Sequence, residues 1–305
     1  MADGNQVWKD PDIGAVRVLL EQFSAIEQPG QDWATRRAGM DAFGDMSPLP
    51  DGCEKVELTV AGIPCEKLTP AGADQTKALL YLHGGGYCVG SPKSHRGLAA
   101  RLAGEINAPA LVPDYRMAPE HPFPAAVEDA VACYRHLLDE GVAPGRIAIS
   151  GDSAGGGLTL ATALAIRANG LPQPGCLFAI SPWANLAQQG AAYEVLAGVD
   201  PMLTKAGLDE FAATYLNGHS VSDPLASPAL ADYAGIAPLL IHAGGAEILA
   251  SDAIAVAEKA GLAGVDVRVE IWPEMIHVWH AFFTQLGAGR RAISEASAWM
   301  NARLG

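Results

Sequence analysis

Three short runs, "ALLYL" at 78–82, "IAIS" at 147–150 and "PLLIHA" at 238–243, are apolar at nearly every position. A strand with one wet face alternates apolar and polar residues. A strand that is apolar throughout is covered on both faces, as in a parallel sheet sandwiched between helices. The segments between these runs carry helical spacing, so strands and helices alternate along the chain. That order predicts an α/β fold: a doubly wound, mostly parallel central sheet flanked by helices.

The expected strands are 55–60, 63–68, 78–83, 110–114, 146–150, 176–181, 238–243 and 265–271. Helices are expected at 95–106, 125–138, 154–168, about 251–260 and about 278–286, with a last one ending near Ala302. A further helix is expected at 10–26, where Asp10 can cap, Pro11 suits the first helical position, and Val16, Leu19, Leu20, Phe23 and Ile26 recur at helical intervals. "GDMSPLPDG" at 44–52 is turn-rich and marks a boundary. Between Asn185 and Pro238 the alternation lapses into a segment that reads as helices and loops. It is expected to be an insertion that packs with the N-terminal helix as a lid.

Half of the 305 residues are hydrophobic and 18% are charged, enough apolar mass for a large core. The formal net charge of −14 argues against nucleic acid, which calls for clustered Lys and Arg, and against an anionic membrane surface. The five cysteines, Cys53, Cys65, Cys88, Cys133 and Cys176, form no C-x-x-C pair. They read as reduced thiols in a cytoplasmic protein, with neither a disulfide framework nor metal-ligand spacing. No signal-peptide pattern opens the chain, and Ala154–Ile166, the longest uncharged helix-like run, is too short to span a bilayer.

Chemistry enters at "RIAISGDSAGGGLTL". Gly151-Asp152-Ser153-Ala154-Gly155 falls where a strand becomes a helix, the setting of a nucleophile elbow. The serine is forced into a tight turn at the carboxyl end of the sheet. The helix behind it aims N–H groups at the same spot. A phosphate-binding loop is excluded: no Gly-Lys pair exists, and Gly155-Gly156-Gly157 lacks the G-x-G-x-x-G spacing.

A serine hydroxyl needs a base. With this elbow the partners follow in the order serine, carboxylate, histidine. Only His277 and His280 lie beyond a suitable acid. His277, in "WPEMIHVWH" just after the last expected strand, is the better placed; His280 is expected inside the following helix. Glu247, on the turn after "PLLIHA", is the expected acid, with Asp252 as the alternative and a helix-opening role as its competing explanation. "HGGG" at 83–86 also follows a strand. The Gly85 and Gly86 N–H groups, joined by that of Ala154, are the expected oxyanion donors, while Gly84 shapes the loop.

"HGGG" and "GDSAGG", with "DYRMAPEHPFPAAVEDA" between them and "WPEMIHVW" after, resemble the hormone-sensitive-lipase-like (bacterial family IV) esterases of the α/β-hydrolase fold. The resemblance spans roughly residues 55–285. It implies Ser153 as nucleophile, His277 as base, the same oxyanion donors, no cofactor and no metal. At the acid, relatives carry Asp in an Asp-Pro-Leu turn where this chain reads "EILASD". The resemblance also implies one α/β-hydrolase domain over 1–305, with a cap from 1–45 and about 185–235 on a catalytic core of about 46–184 and 236–305. The expected activity is hydrolysis of short- to medium-chain acyl esters of small molecules by a serine carboxylesterase through an acyl-enzyme. Many relatives are dimers, which makes a homodimer an expectation here. Asp152, Tyr115, Arg116 and Glu120 are expected to brace the elbow and the glycine loop. An amidase or deacetylase with the same triad is the alternative. A non-catalytic ligand-binding module is a third reading; the gibberellin receptors resemble these esterases but lack the histidine that is present here as His277.

Overall fold

The computed structural model describes residues 12–24 and 31–305. Eight strands form one sheet: β1 (Glu54–Val60), β2 (Ile63–Thr69), β3 (Ala78–Leu82), β4 (Ala110–Pro113), β5 (Ile147–Asp152), β6 (Cys176–Ile180), β7 (Leu239–Gly244) and β8 (Val267–Trp272). Their spatial order is β1-β2-β4-β3-β5-β6-β7-β8. β2 runs antiparallel to both neighbours, and every pairing from β4 to β8 is parallel.

Nine α-helices accompany the sheet in the described residues: α1 (Ile13–Ser24), α2 (Trp33–Gly44), α3 (Pro92–Glu105), α4 (Ala125–Asp139), α5 (Ala154–Ala168), α6 (Ala192–Val195), α7 (Lys205–Leu216), α8 (Ala250–Leu262) and α9 (Gly287–Leu304). Each buried strand sends alternate residues to opposite faces. Leu80, Ile149, Leu177 and Ile241 join one core cluster with α4, α5 and α8. Leu79, Ala148, Phe178 and Leu240 join a second with α3 and α9. Two layers of helix over continuous apolar strands are what those strands require. The edge strands β1 and β8, with β2 beside β1, are the partly exposed ones.

The expected strands and core helices form within a few residues of their predicted ends. Asp10, Pro11 and Ile26, the predicted ends of the first helix, lie outside the described residues. The helix expected at 278–286 does not form. A short 3-10 turn, Trp279–Phe282, stands there, because Val278 takes φ +49° and turns the chain away from a helical path. The segment from 181 to 238, between β6 and β7, holds α6, α7 and a 3-10 turn at Pro228–Leu230. α7 meets α2 through an edge-on Trp33–Phe211 contact, with ring centroids 5.4 Å apart, and an Arg36–Glu210 ion pair. No helix among the described residues is long and apolar enough to cross a membrane.

Because β3, β5, β7 and β8 all run the same way, the loops after them emerge at one edge of the sheet. Those four loops carry "HGGG", Ser153, Glu247 and His277.

Candidate active site

β5 runs into α5 with Ser153 alone between them, at φ 56° and ψ −122°. A non-glycine residue held there costs about 1–3 kcal/mol. The neighbours enforce it. Ser153 N–H donates to the Ile180 carbonyl at 2.8 Å, and the Ser153 carbonyl accepts from Gly157 and Trp183 at 3.0 and 2.9 Å. A Cβ on Gly155 would overlap the Leu82 and His83 carbonyls. The glycine is there because α5 and β3 touch through their backbones.

The loop after β3 is fixed from below. The Tyr115 hydroxyl donates to the His83 carbonyl at 2.7 Å, and its ring stacks on His83 with centroids 4.1 Å apart. Tyr81 donates to Asp152 Oδ1 at 2.6 Å, and His95 Nε2 lies 3.3 Å from Asp152 Oδ2. The Gly84 N–H is taken by His95 Nε2 at 3.3 Å. Those of Gly85 and Gly86 donate to no described residue, and both glycines line the same cavity as Ser153 and His277. Gly86 has φ +60°, and a Cβ there would overlap the Phe211 ring.

Asp152 and Tyr115 therefore brace the elbow and the glycine loop. Arg116 and Glu120 do not touch either directly. Arg116 is bound to Asp129 and Glu128 on α4. Glu120 holds Arg37 of α2, whose Nε donates to the Cys88 carbonyl at 2.8 Å.

Glu247 and His277 meet. His277 Nδ1 lies 2.6 Å from Glu247 Oε2, and Glu247 Oε1 accepts from the Gly244 N–H at 2.7 Å. Glu247 is fully buried and His277 is 4% exposed. Burial pulls the imidazole pKa down, but the hydrogen bond and charge of Glu247 outweigh it and hold His277 above its ordinary value. The bond fixes the tautomer: Nδ1 carries the proton and Nε2 keeps a free lone pair.

The cavity these groups share has a volume of about 250 Å³, and its further walls include Phe43, Leu98, Trp183, Met202 and Phe211. Trp183 and Phe211 line it, and Trp33 stands behind Phe211. Among the described residues no three His, Cys, Asp or Glu side chains converge as metal ligands would.

Residues 79–281 match the alpha/beta hydrolase fold family. The chain is 42% identical over 306 residues to an acetyl-hydrolase of Streptomyces hygroscopicus, covering 97% of this chain and 98% of that one. It is 34% identical to the carboxylic ester hydrolase LipN of Mycobacterium tuberculosis, over 86% of this chain and 73% of that one. The crystal structure of an esterase from the bacterial hormone-sensitive lipase family superposes with a TM-score of 0.95 at 39% identity, covering 98% of this chain and 100% of that one. The chain is a hormone-sensitive-lipase-like α/β-hydrolase. It belongs with carboxylic ester hydrolases.

Within this hydrolase Asp252 is kept from the histidine. Its Oδ2 accepts from Ala184 and Asn185 N–H at 2.9 and 2.8 Å, and its Oδ1 from the Tyr193 hydroxyl at 2.9 Å. It sits in the first turn of α8 and pins the segment after β6. His280 is not in a helix but in the 3-10 turn, facing away into the core toward His242. Two residues that sequence reasoning passed over hold the site together. Ser181 Oγ accepts from the Val278 N–H at 3.1 Å, and Asp200 Oδ2 accepts from the Ile248 N–H at 2.9 Å, beside Glu247. Neither stands in a motif that could have revealed it.

Proposed function

We propose that the protein is a serine carboxylesterase acting on short- to medium-chain acyl esters of small molecules. The observation that carries the reading is the buried Glu247–His277 bond, which orients an imidazole in the cavity that Ser153 lines. Ser153 Oγ attacks the ester carbonyl while His277 Nε2 takes its proton. Glu247 holds the tautomer and stabilises the imidazolium that forms. The N–H groups of Gly85, Gly86 and Ala154 hold the oxyanion. His277 then protonates the departing alcohol, and water repeats the sequence to free the acid and Ser153.

The apolar walls and modest volume support a compact acyl or alcohol group. A similar solved structure, esterase EstE5, 42% identical with a TM-score of 0.91 and covering 96% of this chain and 99% of that one, was soaked with p-nitrophenyl butyrate. The acetyl-hydrolase relative supports acetate esters within the range, and an acetyl amide is the second reading. The described residues of the 1–45 segment, with those of about 185–235, serve as a cap over the cavity; the α2–α7 contact supports this. The five free cysteines support a reducing, cytoplasmic setting. The partly exposed edge strand β8, with Val269 and Ile271 outward, supports a homodimer.

The test is a p-nitrophenyl ester series from acetate to laurate, with acetanilides beside it, on wild type and Ser153→Ala. The variant loses about 1000-fold or more in turnover. A folded Ser153→Ala that keeps most of its activity would end the proposal.

A further inference from the structure

A second hydrogen bond runs alongside Glu247–His277 and joins the same two segments. His242 stands on β7, five residues before Glu247, and His280 stands three residues after His277. Both rings are fully buried. His242 Nδ1 lies 3.1 Å from His280 Nε2, and His242 Nε2 stands 3.2 Å from Glu270 Oε2, an ionic contact rather than an aligned hydrogen bond.

A neutral imidazole has one N–H and one lone pair. With Glu270 a carboxylate, His242 carries its proton on Nε2 and offers the Nδ1 lone pair. His280 then donates from Nε2, and its Nδ1 is left a bare lone pair with no hydrogen-bond partner among the described residues. The reverse assignment would aim a lone pair at a carboxylate and bury an N–H without an acceptor. The other charged groups facing His242 are Arg268 on β8 and Glu295 on α9. Phe178 packs edge-on against both imidazoles, and Trp279 packs against His280. Burial keeps both rings on the neutral side, with His280 well below its ordinary value and Glu270 only partly offsetting the drop at His242.

The chemistry above uses neither ring, and burying two imidazoles is costly unless their hydrogen bond does something apolar residues could not. The chain turns at Val278, just past His277, and before it the Ala246 N–H donates to the Met275 carbonyl at 3.0 Å. Ser181 ties the Val278 N–H from one side. We propose that His242 and His280 are positioning residues, a buried imidazole pair that locks the His277 turn onto the strand delivering Glu247. The proposal rests on the reading of Ser153, Glu247 and His277 as a triad.

The experiment compares wild type with His280→Phe, His242→Phe and His280→Gln. Two quantities are read: the NMR titration of the His277 ring, and kcat against KM. Both Phe variants lose the bond from opposite sides. Each lowers the His277 midpoint, because the Glu247 contact loosens, and reduces kcat on the order of tenfold with KM little changed. His280→Gln keeps a donor at the Nε2 position and keeps the midpoint. A lowered melting temperature with the His277 midpoint and kcat unmoved overturns the proposal. Should neither Phe variant fold, the wild-type ring nitrogens decide: a protonated Nε2 and bare Nδ1 on His280 support it, and the opposite tautomer overturns it. The ring titration needs no turnover, so its outcome is separate from that of Ser153→Ala, which tests the triad itself.

Discussion

Glu247 and Asp252 lie five residues apart, one on the turn after β7 and one in the first turn of α8, and both are all but fully buried. Their surroundings divide their work. Glu247 receives one backbone N–H and spends its other oxygen on an imidazole. Asp252 receives two backbone N–H groups and a tyrosine hydroxyl, all from the segment after β6. A buried carboxylate next to a candidate site is therefore no guide to chemistry until its partners are known. Here an imidazole that lines the Ser153 cavity marks Glu247 for chemistry, and partners drawn only from the segment after β6 mark Asp252 for architecture.

The contrast breaks most sharply under substitution. Glu247→Gln keeps the shape but offers its amide where the tautomer needs an acceptor, so kcat falls by about 10³–10⁴-fold with folding retained. Asp252→Asn should do the reverse. It costs on the order of 1–3 kcal/mol of stability through its disrupted hydrogen bonds, while the kcat of the folded fraction stays near wild type. Denaturant melts and ester assays on both variants test this; equal loss of activity in the two would erase the distinction.

The pH profile sharpens it further. His277 acts as base only when neutral, and Glu247 holds its pKa above the ordinary 6.5. The acid limb of kcat/KM should thus lie above that value and move down in Glu247→Gln, where burial is no longer opposed. A flat profile from about pH 5 to 8 would count against His277. The smallest effect concerns Asp252. Burial raises it from 3.8 to about 7, only partly offset by its hydrogen bonds. The folded state then holds the proton more tightly than the unfolded chain, so this group's stability contribution is full below 3.8 and is lost as pH rises through about 7. Asn does not titrate there, so the stability gap between Asp252→Asn and wild type should narrow from pH 5 to 8 in urea melts. A gap that widens would reverse the sign.

Much of this was legible in the sequence because local chemistry and global position agree there. The elbow needs glycine where two backbones touch, and Gly155 stands at that contact. The buried strands advertise themselves by lacking alternation. α2 is hard to see in the sequence: "WATRRAGMDAFG" has little apolar stripe, and its one clear signal is the Asp32 side chain accepting from Thr35 N–H. The turn after His277 reads as helix in the sequence because Val278 gives no hint of a left-handed backbone. The choice between Glu247 and Asp252 depends on Ala184, Asn185 and Tyr193, 59 to 68 residues away along the chain, and no spacing rule reaches that far.

Phe211 closes over Gly86 with no space for even a methyl group between them. The ring that shapes one wall of the chamber is thus also pressed against a peptide whose N–H is proposed to meet the substrate's developing charge. A side chain at 86 would have to displace that wall, and a change at 211 alters the surroundings of this peptide. If that peptide holds the oxyanion as proposed, chamber shape and turnover are linked at this one contact.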